Sequence, residues 1–161
     1  MIRKKISLVQ PNFQQGPKEF NAHYLPYSVG VLWAYVKQFV EIDSYYELDK
    51  MIWKRSSISN TARSLADSDI IAFSTYVWNK NYNYALAQEI KKLNPKSIFI
   101  FGGPEIPIEK QEIFNKFPFI DIVVKSEGEI TFKRVLLALK NKTPLEEIPG
   151  LLLNLDGNAV D

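Results

Sequence analysis

The chain has 161 residues, enough for one domain of ordinary size, and its 20 basic and 18 acidic side chains nearly cancel. A domain of this size buries roughly 70% of its unfolded surface, so folding needs no cofactor, and the absence of a basic stripe argues against nucleic acid and anionic membrane as partners. There is no cysteine, which excludes disulfides, thiolate metal sites and iron–sulfur ligation within this chain and suits a cytoplasmic protein.

The basic start, Met-Ile-Arg-Lys-Lys-Ile, leads into a short strand rather than an apolar signal core. Lys5 to Gln10 is the first strand, with Ile6, Leu8 and Val9 apolar, and Pro11 is expected to end it because proline gives no amide hydrogen to a ladder. Asn12 to Leu25 reads as a long loop carrying the only histidine, His23. A loop of that length inside a compact domain is usually functional or mobile. Pro26 opens a helix through about Gln38, with Val29, Leu32, Trp33, Val36 and Val40 on helical spacing. Gly30 inside that helix costs about 1 kcal/mol relative to alanine, which a close approach to the sheet or to a ligand would offset. The apolar stretch from Ser28 to Val40 is interrupted by Lys37 and Gln38 and falls short of the ~20 residues a bilayer span needs.

Glu41 to Leu48 reads as a second strand at a sheet edge, and a weaker helix follows near Ile58, Ala62 and Leu65. Asp69 to Ser74 is the third strand, apolar as a strand covered on both faces should be. A helix from about Asn79 to Leu93 places Tyr82, Leu86, Ile90 and Leu93 on one face, and Asn94-Pro95 stops it. Ser97-Ile-Phe-Ile-Phe-Gly-Gly-Pro-Glu105 is a buried strand run that ends on two glycines and a proline. Glycine frees the backbone and removes the side chain, so this turn either needs glycine for geometry alone or lets a ligand lie against the chain. A short helix near Ile108 to Lys116 and a fifth strand, Phe119 to Val124, follow. Ser126-Glu-Gly-Glu129 has capping-box spacing and opens a helix to about Lys140 that buries Phe132, Val135, Leu136 and Leu139.

Strands alternate with helices five times, which predicts a flavodoxin-like doubly wound α/β fold, a five-stranded parallel sheet of order 2-1-3-4-5. Ligands of such sheets sit beyond the C-terminal strand ends, where the order reverses. Residues 1–147 form this Rossmann-like domain. Residues 148–161, with the hairpin signal Asp156-Gly157, read as a C-terminal β-hairpin extension with nothing after it to pack against, the start of a second domain in a larger protein.

Several doubly wound classes fail on their own requirements. The place of a dinucleotide Gly-x-Gly-x-x-Gly holds Gln10-Pro11-Asn12-Phe13, and no phosphate loop ending in Gly-Lys-Ser/Thr exists. A phospho-receiver needs carboxylates after strands one and three, where Gln10 and Ser74 stand. What remains is Ser74-Thr-Tyr-Val-Trp-Asn79, Gly102-Gly103-Pro104-Glu105 and Ser126-Glu-Gly-Glu129 after strands three, four and five, with Tyr24-Leu-Pro-Tyr-Ser-Val-Gly-Val-Leu-Trp-Ala-Tyr35 before them.

In order and spacing this pattern resembles the N-terminal cobalamin (B12)-binding domain of B12-dependent radical S-adenosylmethionine (SAM) proteins, over nearly the whole chain. The resemblance implies a corrinoid held over the C-terminal strand ends, its nucleotide tail between sheet and helices. It implies contacts from Asn12, from Ser74 or Thr75 as hydroxyl donors, and from Tyr76 and Trp78 as apolar surface with polar tips. It further implies room beside the backbone at Gly102 and Gly103, followed by Pro104 and Glu105, and amides at the Glu127-Gly128 turn. Each has a plainer alternative: Ser74 as a strand end, Tyr76 and Trp78 as core, Ser126 as a cap. The Asp-x-His-x-x-Gly motif of the mutase type is missing, which leaves His23 as a packing residue or a cobalt contact. By the same resemblance a radical SAM domain, with its [4Fe–4S] cluster and S-adenosylmethionine, would lie beyond Asp161, so this chain alone is not expected to be catalytic although the parent, a methyltransferase on this reading, would be. The rival expectation is a ligand-free flavodoxin-like domain that only docks a catalytic neighbour.

Overall fold

The structure is a computed structural model that describes residues 2–107, 110–125, 127–155 and 158–160. Its centre is a seven-stranded sheet built from β1 (Lys4–Asn12), β4 (Tyr46–Lys54), β5 (Ile70–Ser74), β6 (Ile98–Gly102), β7 (Ile122–Val124), β8 (Leu151–Leu155) and β9 (Asn158–Val160). The spatial order is β4-β1-β5-β6-β7-β8-β9. The first five strands pair in parallel, giving the 2-1-3-4-5 order; β8 pairs antiparallel with β7, and β9 antiparallel with β8. The hairpin is thus not left without a packing surface: Leu151, Leu152 and Leu153 are buried in the sheet.

Side-chain alternation along the strands builds two cores. Ile70 and Ala72 face one way, with Ile6, Leu8, Ile100, Ile122 and Val124, against α1 (Tyr27–Val36), the single-turn α2 (Val40–Asp43) and α6 (Gly128–Asn141). Ile71 and Phe73 face the other way, with Val9, Phe99, Phe101 and Val123, against α3 (Ile58–Leu65), α4 (Lys80–Leu93) and α5 (Lys110–Lys116). Strands this apolar on both faces suit a sheet covered on both sides.

Five boundaries differ from the sequence reading; the first is the fifth strand, expected from Phe119, which begins only at Ile122. Pro11 lies inside β1, because the pairing with β5 stops at Val9 opposite Phe73 and the pairing with β4 shifts register between Val9 and Asn12. No ladder bond is therefore asked of the missing amide hydrogen. The loop Asn12 to Leu25 contains a two-stranded ladder, β2 (Gln14–Gln15) with β3 (Ala22–His23), around a 3₁₀ turn at Lys18–Phe20. The helix opened by Pro26 ends at Val36; Phe39 is extended, and Val40 falls in α2, 77% exposed. The second strand begins at Tyr46, not Glu41, and runs on to Lys54. The strand continues past Leu48 through the charged Asp49 and Lys50, which an edge strand accommodates because its side chains are only half covered. In α6, Ala138 takes the buried place expected for Leu139, which is half-buried. Ile108, Ser126 and the Asp156-Gly157 turn lie outside the described residues.

Candidate functional site

The chain reverses direction across the sheet between β1 and β5, and the loops that follow these strands open a crevice there. Two adjoining cavities occupy it. The inner one, about 400 Å³, lies between the sheet and the α1–α6 pair. Its floor is Ala72, Ser74, Ile100, Gly102 and Val124, and its walls are Val29 and Leu32 of α1 and Gly128 and Phe132 of α6. The outer one, about 420 Å³, sits at the rim, lined by Gln10, Asn12, Phe13, Tyr24, Leu25 and Trp78. Tyr27, Ser28 and Tyr76 line both.

The rim is aromatic and largely prebuilt. Tyr76 and Trp78 stack at 4.6 Å with their planes 7° apart, Phe13 meets Trp78 edge-on at 6.2 Å, and Tyr24 meets Phe13 at 5.4 Å. Trp78 is 41% exposed and Phe13 46%, so these rings are surface, not core. Exposed apolar rings gathered at one edge mark a binding surface.

Buried amide side chains hold the rim. Asn12, 3% exposed, accepts a hydrogen bond from Trp78 Nε1 at 3.2 Å and donates to the carbonyls of Tyr24 and Leu25. It ties the loop before α1 and the loop after β5 to the end of β1. Gln10 Oε1 accepts from the Val29 amide at the start of α1. Asn79 occupies the N-cap position of α4 without capping it; its Oδ1 accepts from the Tyr76 amide at 2.8 Å and its Nδ2 donates to the Ser74 carbonyl. Asn83 Nδ2 also donates to the Ser74 carbonyl, while its Oδ1 is buried without a partner.

The structure sorts the sequence-predicted site residues into two groups. Ser74, Tyr76, Gly102, Gly103 and Gly128 line the inner cavity, and Asn12, Tyr76 and Trp78 the outer. Thr75 does not reach either. Period-two alternation turns it to the α4 side, where it is fully buried beside Asn83. Pro104 and Glu105 line neither cavity, and the Glu105 carboxylate pairs with Lys80 at 2.8 Å. Glu127 is exposed at the start of α6 and its side chain caps nothing. His23 bonds the Asn21 carbonyl through Nδ1 and packs edge-on to Trp53, away from both cavities.

The three glycines serve three purposes. Gly103 has φ +110°, and a Cβ there would stand 2.5 Å from the Thr75 carbonyl oxygen, so backbone packing alone requires glycine. At Gly128 a Cβ would meet Leu32 at 3.0 Å, which sets how closely α6 approaches α1. At Gly102 a Cβ would touch only Val124, at an ordinary 3.7 Å, and would otherwise project at the inner cavity. Gly30 likewise meets nothing within 4 Å, so no close approach to the sheet accounts for it. Gln10, Ser28, Asn79 and Asn83 were missed from sequence. Only Asn79, just before a helix, carried a local signal, that of an N-cap, and its side chain bonds backward to the Tyr76 amide instead of capping.

Fold and site together define a doubly wound ligand-binding domain whose crevice has an aromatic mouth and a narrow apolar interior. A family model described as "B12 binding domain" matches residues 24–136. The chain belongs to that family, and it matches cobalamin-dependent radical SAM methyltransferases. It is 27% identical over 138 residues, 85% of its length, to 2-(S-pantetheinyl)-carbapenam-3-carboxylate methyltransferase of Streptantibioticus cattleyicolor. The same identity and span hold against the cobalamin-dependent radical SAM methyltransferase TokK of Streptomyces tokunonensis. The chain spans 20% of the length of each. Among solved structures, the cobalamin-dependent S-adenosylmethionine radical enzyme OxsB with aqua-cobalamin and S-adenosylmethionine bound superposes with a TM-score of 0.74 at 19% identity, covering 99% of this chain and 22% of that one. Among the described residues, no helix is long and apolar enough to cross a membrane.

Proposed function

We propose that this domain holds cobalamin with the corrin ring over the rim of Tyr76, Trp78 and Asn12 and the nucleotide tail in the inner cavity beside Ser74, Gly102, Gly103 and Gly128. The observation that carries this reading is the cradle at Gly102, where the protein has room for a side chain and none is present. Bound cobalamin supplies a cobalt centre able to accept and pass on a methyl group.

The chain's own residues bind and orient. Ala72, Ile100, Val124, Leu32 and Phe132 offer apolar walls to a flat heteroaromatic tail, with Ser74 as a hydroxyl among them. Tyr76 and Trp78 offer ring surface with a polar tip each. Thr75 packs behind Ser74 on the α4 side, and Pro104, Glu105 and Glu127 line neither chamber. We further propose that residues 1–147 are the cofactor domain and that residues 148–161 lead to a radical SAM domain in the parent enzyme, a methyltransferase whose [4Fe–4S] cluster and S-adenosylmethionine would sit there. The cysteine-free composition is compatible with a cytoplasmic setting.

Titration of the chain with hydroxocobalamin, followed by tryptophan fluorescence and by retention of the red cofactor on a desalting column, tests the reading. Saturable quenching with co-elution is expected. An unquenched, colourless protein would favour the docking-only alternative.

A further inference from the structure

Tyr27, Ser28 and Tyr76 are the residues that line both cavities. Across this shared boundary Ser28 Oγ and Tyr76 Oη are hydrogen-bonded at 2.6 Å. Ser28 belongs to α1 and Tyr76 to the loop after β5, so the bond ties the two walls of the crevice together. Both groups are anchored from behind. The Tyr76 amide is held by Asn79 Oδ1 and its ring by the Trp78 stack, and α1 is held at Val29 by Gln10. A ligand that fills both chambers at once must run across this boundary.

We propose that the Ser28–Tyr76 hydrogen bond is a gate between the chambers, which opens for the nucleotide tail of the corrinoid. The inference rests on the placement of the tail in the inner cavity. With the backbone and the Tyr76 ring fixed, opening is a Ser28 rotation: its hydroxyl turns aside and the bond is lost. The closed form then taxes association, because only the open fraction of molecules admits the tail. A neutral hydrogen bond of this kind changes a local equilibrium by roughly three- to tenfold.

The test is stopped-flow association with the 161-residue chain, read by tryptophan quenching. Wild type, Ser28→Ala, Tyr76→Phe and the double variant are mixed with hydroxocobalamin or with cobinamide carrying matching axial ligands, which lacks the nucleotide tail. Far-UV circular dichroism and melting first establish that each is folded, and the two single variants break the same bond independently, so either one suffices. The expected result is a three- to tenfold faster association of hydroxocobalamin in each single variant, no further gain in the double, and, in Ser28→Ala, an unchanged rate with cobinamide. Unchanged or slower hydroxocobalamin association overturns the gate, as does equal acceleration of cobinamide. If neither corrinoid binds wild type, the cobalamin reading fails and the gate falls with it; binding with unmoved rates removes the gate alone.

Discussion

Replacing Gly102 or Gly103 by alanine should have opposite consequences although the residues are adjacent. At Gly103 the φ of +110° is one that L side chains rarely adopt, and the new Cβ would lie 2.5 Å from the Thr75 oxygen and 2.7 Å from its nitrogen. The strained backbone costs about 1–3 kcal/mol and the forced repacking a further ~1–3 kcal/mol, and backbone atoms cannot step aside as a side-chain end can. For a domain of this length about 3–4 kcal/mol lowers Tm by roughly 10 °C. At Gly102, a strand residue outside the left-handed region, the Cβ meets Val124 at 3.7 Å. Reduced freedom of the unfolded chain should leave Tm unchanged or raise the stability by up to about 1 kcal/mol. The same methyl projects at the inner cavity and should weaken hydroxocobalamin binding by about 1–3 kcal/mol, roughly five- to 150-fold. Differential scanning calorimetry reads the first quantity and fluorescence titration the second. A Gly103→Ala chain melting within 2 °C of wild type, or a Gly102→Ala chain that binds hydroxocobalamin unimpaired, would refute the division of labour.

Three further outcomes are expected. Asn79→Ala removes the bonds to the Ser74 carbonyl and the Tyr76 amide from a fully buried position; urea denaturation should show a loss of about 2–4 kcal/mol, and corrinoid affinity should fall with it because the Tyr76–Trp78 shelf is no longer held. Lys80→Met breaks a pair with Glu105 whose side chains are 38% and 33% exposed, so the loss should stay below about 1 kcal/mol; more than twice that would mean Glu105 does more than face solvent. Tyr46 is buried, donates to the Leu136 carbonyl at 2.9 Å, and has its pKa raised first by burial and then by Tyr45 and Asp69. A folded-state pKa above the unfolded value of about 10 means that this group's contribution is whole below pH 10 and is lost as pH climbs beyond it. Tyr46→Phe should therefore cost about 1–3 kcal/mol at pH 7 and flatten the alkaline fall in stability; an equally steep fall above pH 10 would contradict the assignment.

The strand order was legible because each core strand is a short apolar run closed by a helix signal, and parallel crossovers leave few topologies. The boundaries failed where tertiary pairing overrode local chemistry. Pro11 survives inside β1 only because β5 makes no demand opposite it, a fact about residues some sixty positions away. The long run of β4 through Asp49 and Lys50 was hidden for a related reason: an edge strand is defined by its neighbour β1, not by its own hydrophobicity. The hairpin was recognised from Asp156-Gly157, yet its attachment to β7 was invisible, since antiparallel pairing between Leu151 and Val124 leaves no local mark.

The site was legible by loop and not by side chain. Counting from β5 gives the loop Ser74 to Asn79; only alternation within the folded sheet decides that Ser74 turns to the cavity and Thr75 to α4. The glycine pair has the same origin. Thr75 N donates to Gly102 O at 2.7 Å, and Glu105 N donates to Thr75 O, so the β6 loop crosses directly over the end of β5. That crossing forces Gly103 to be bare whether or not a ligand ever arrives. It also turns Glu105 out toward Lys80 and leaves Gly102 as the member of the pair whose missing side chain the protein itself does not explain. A pair of glycines after a strand is therefore two arguments, and only the one that survives subtraction of the backbone contacts bears on what the crevice holds.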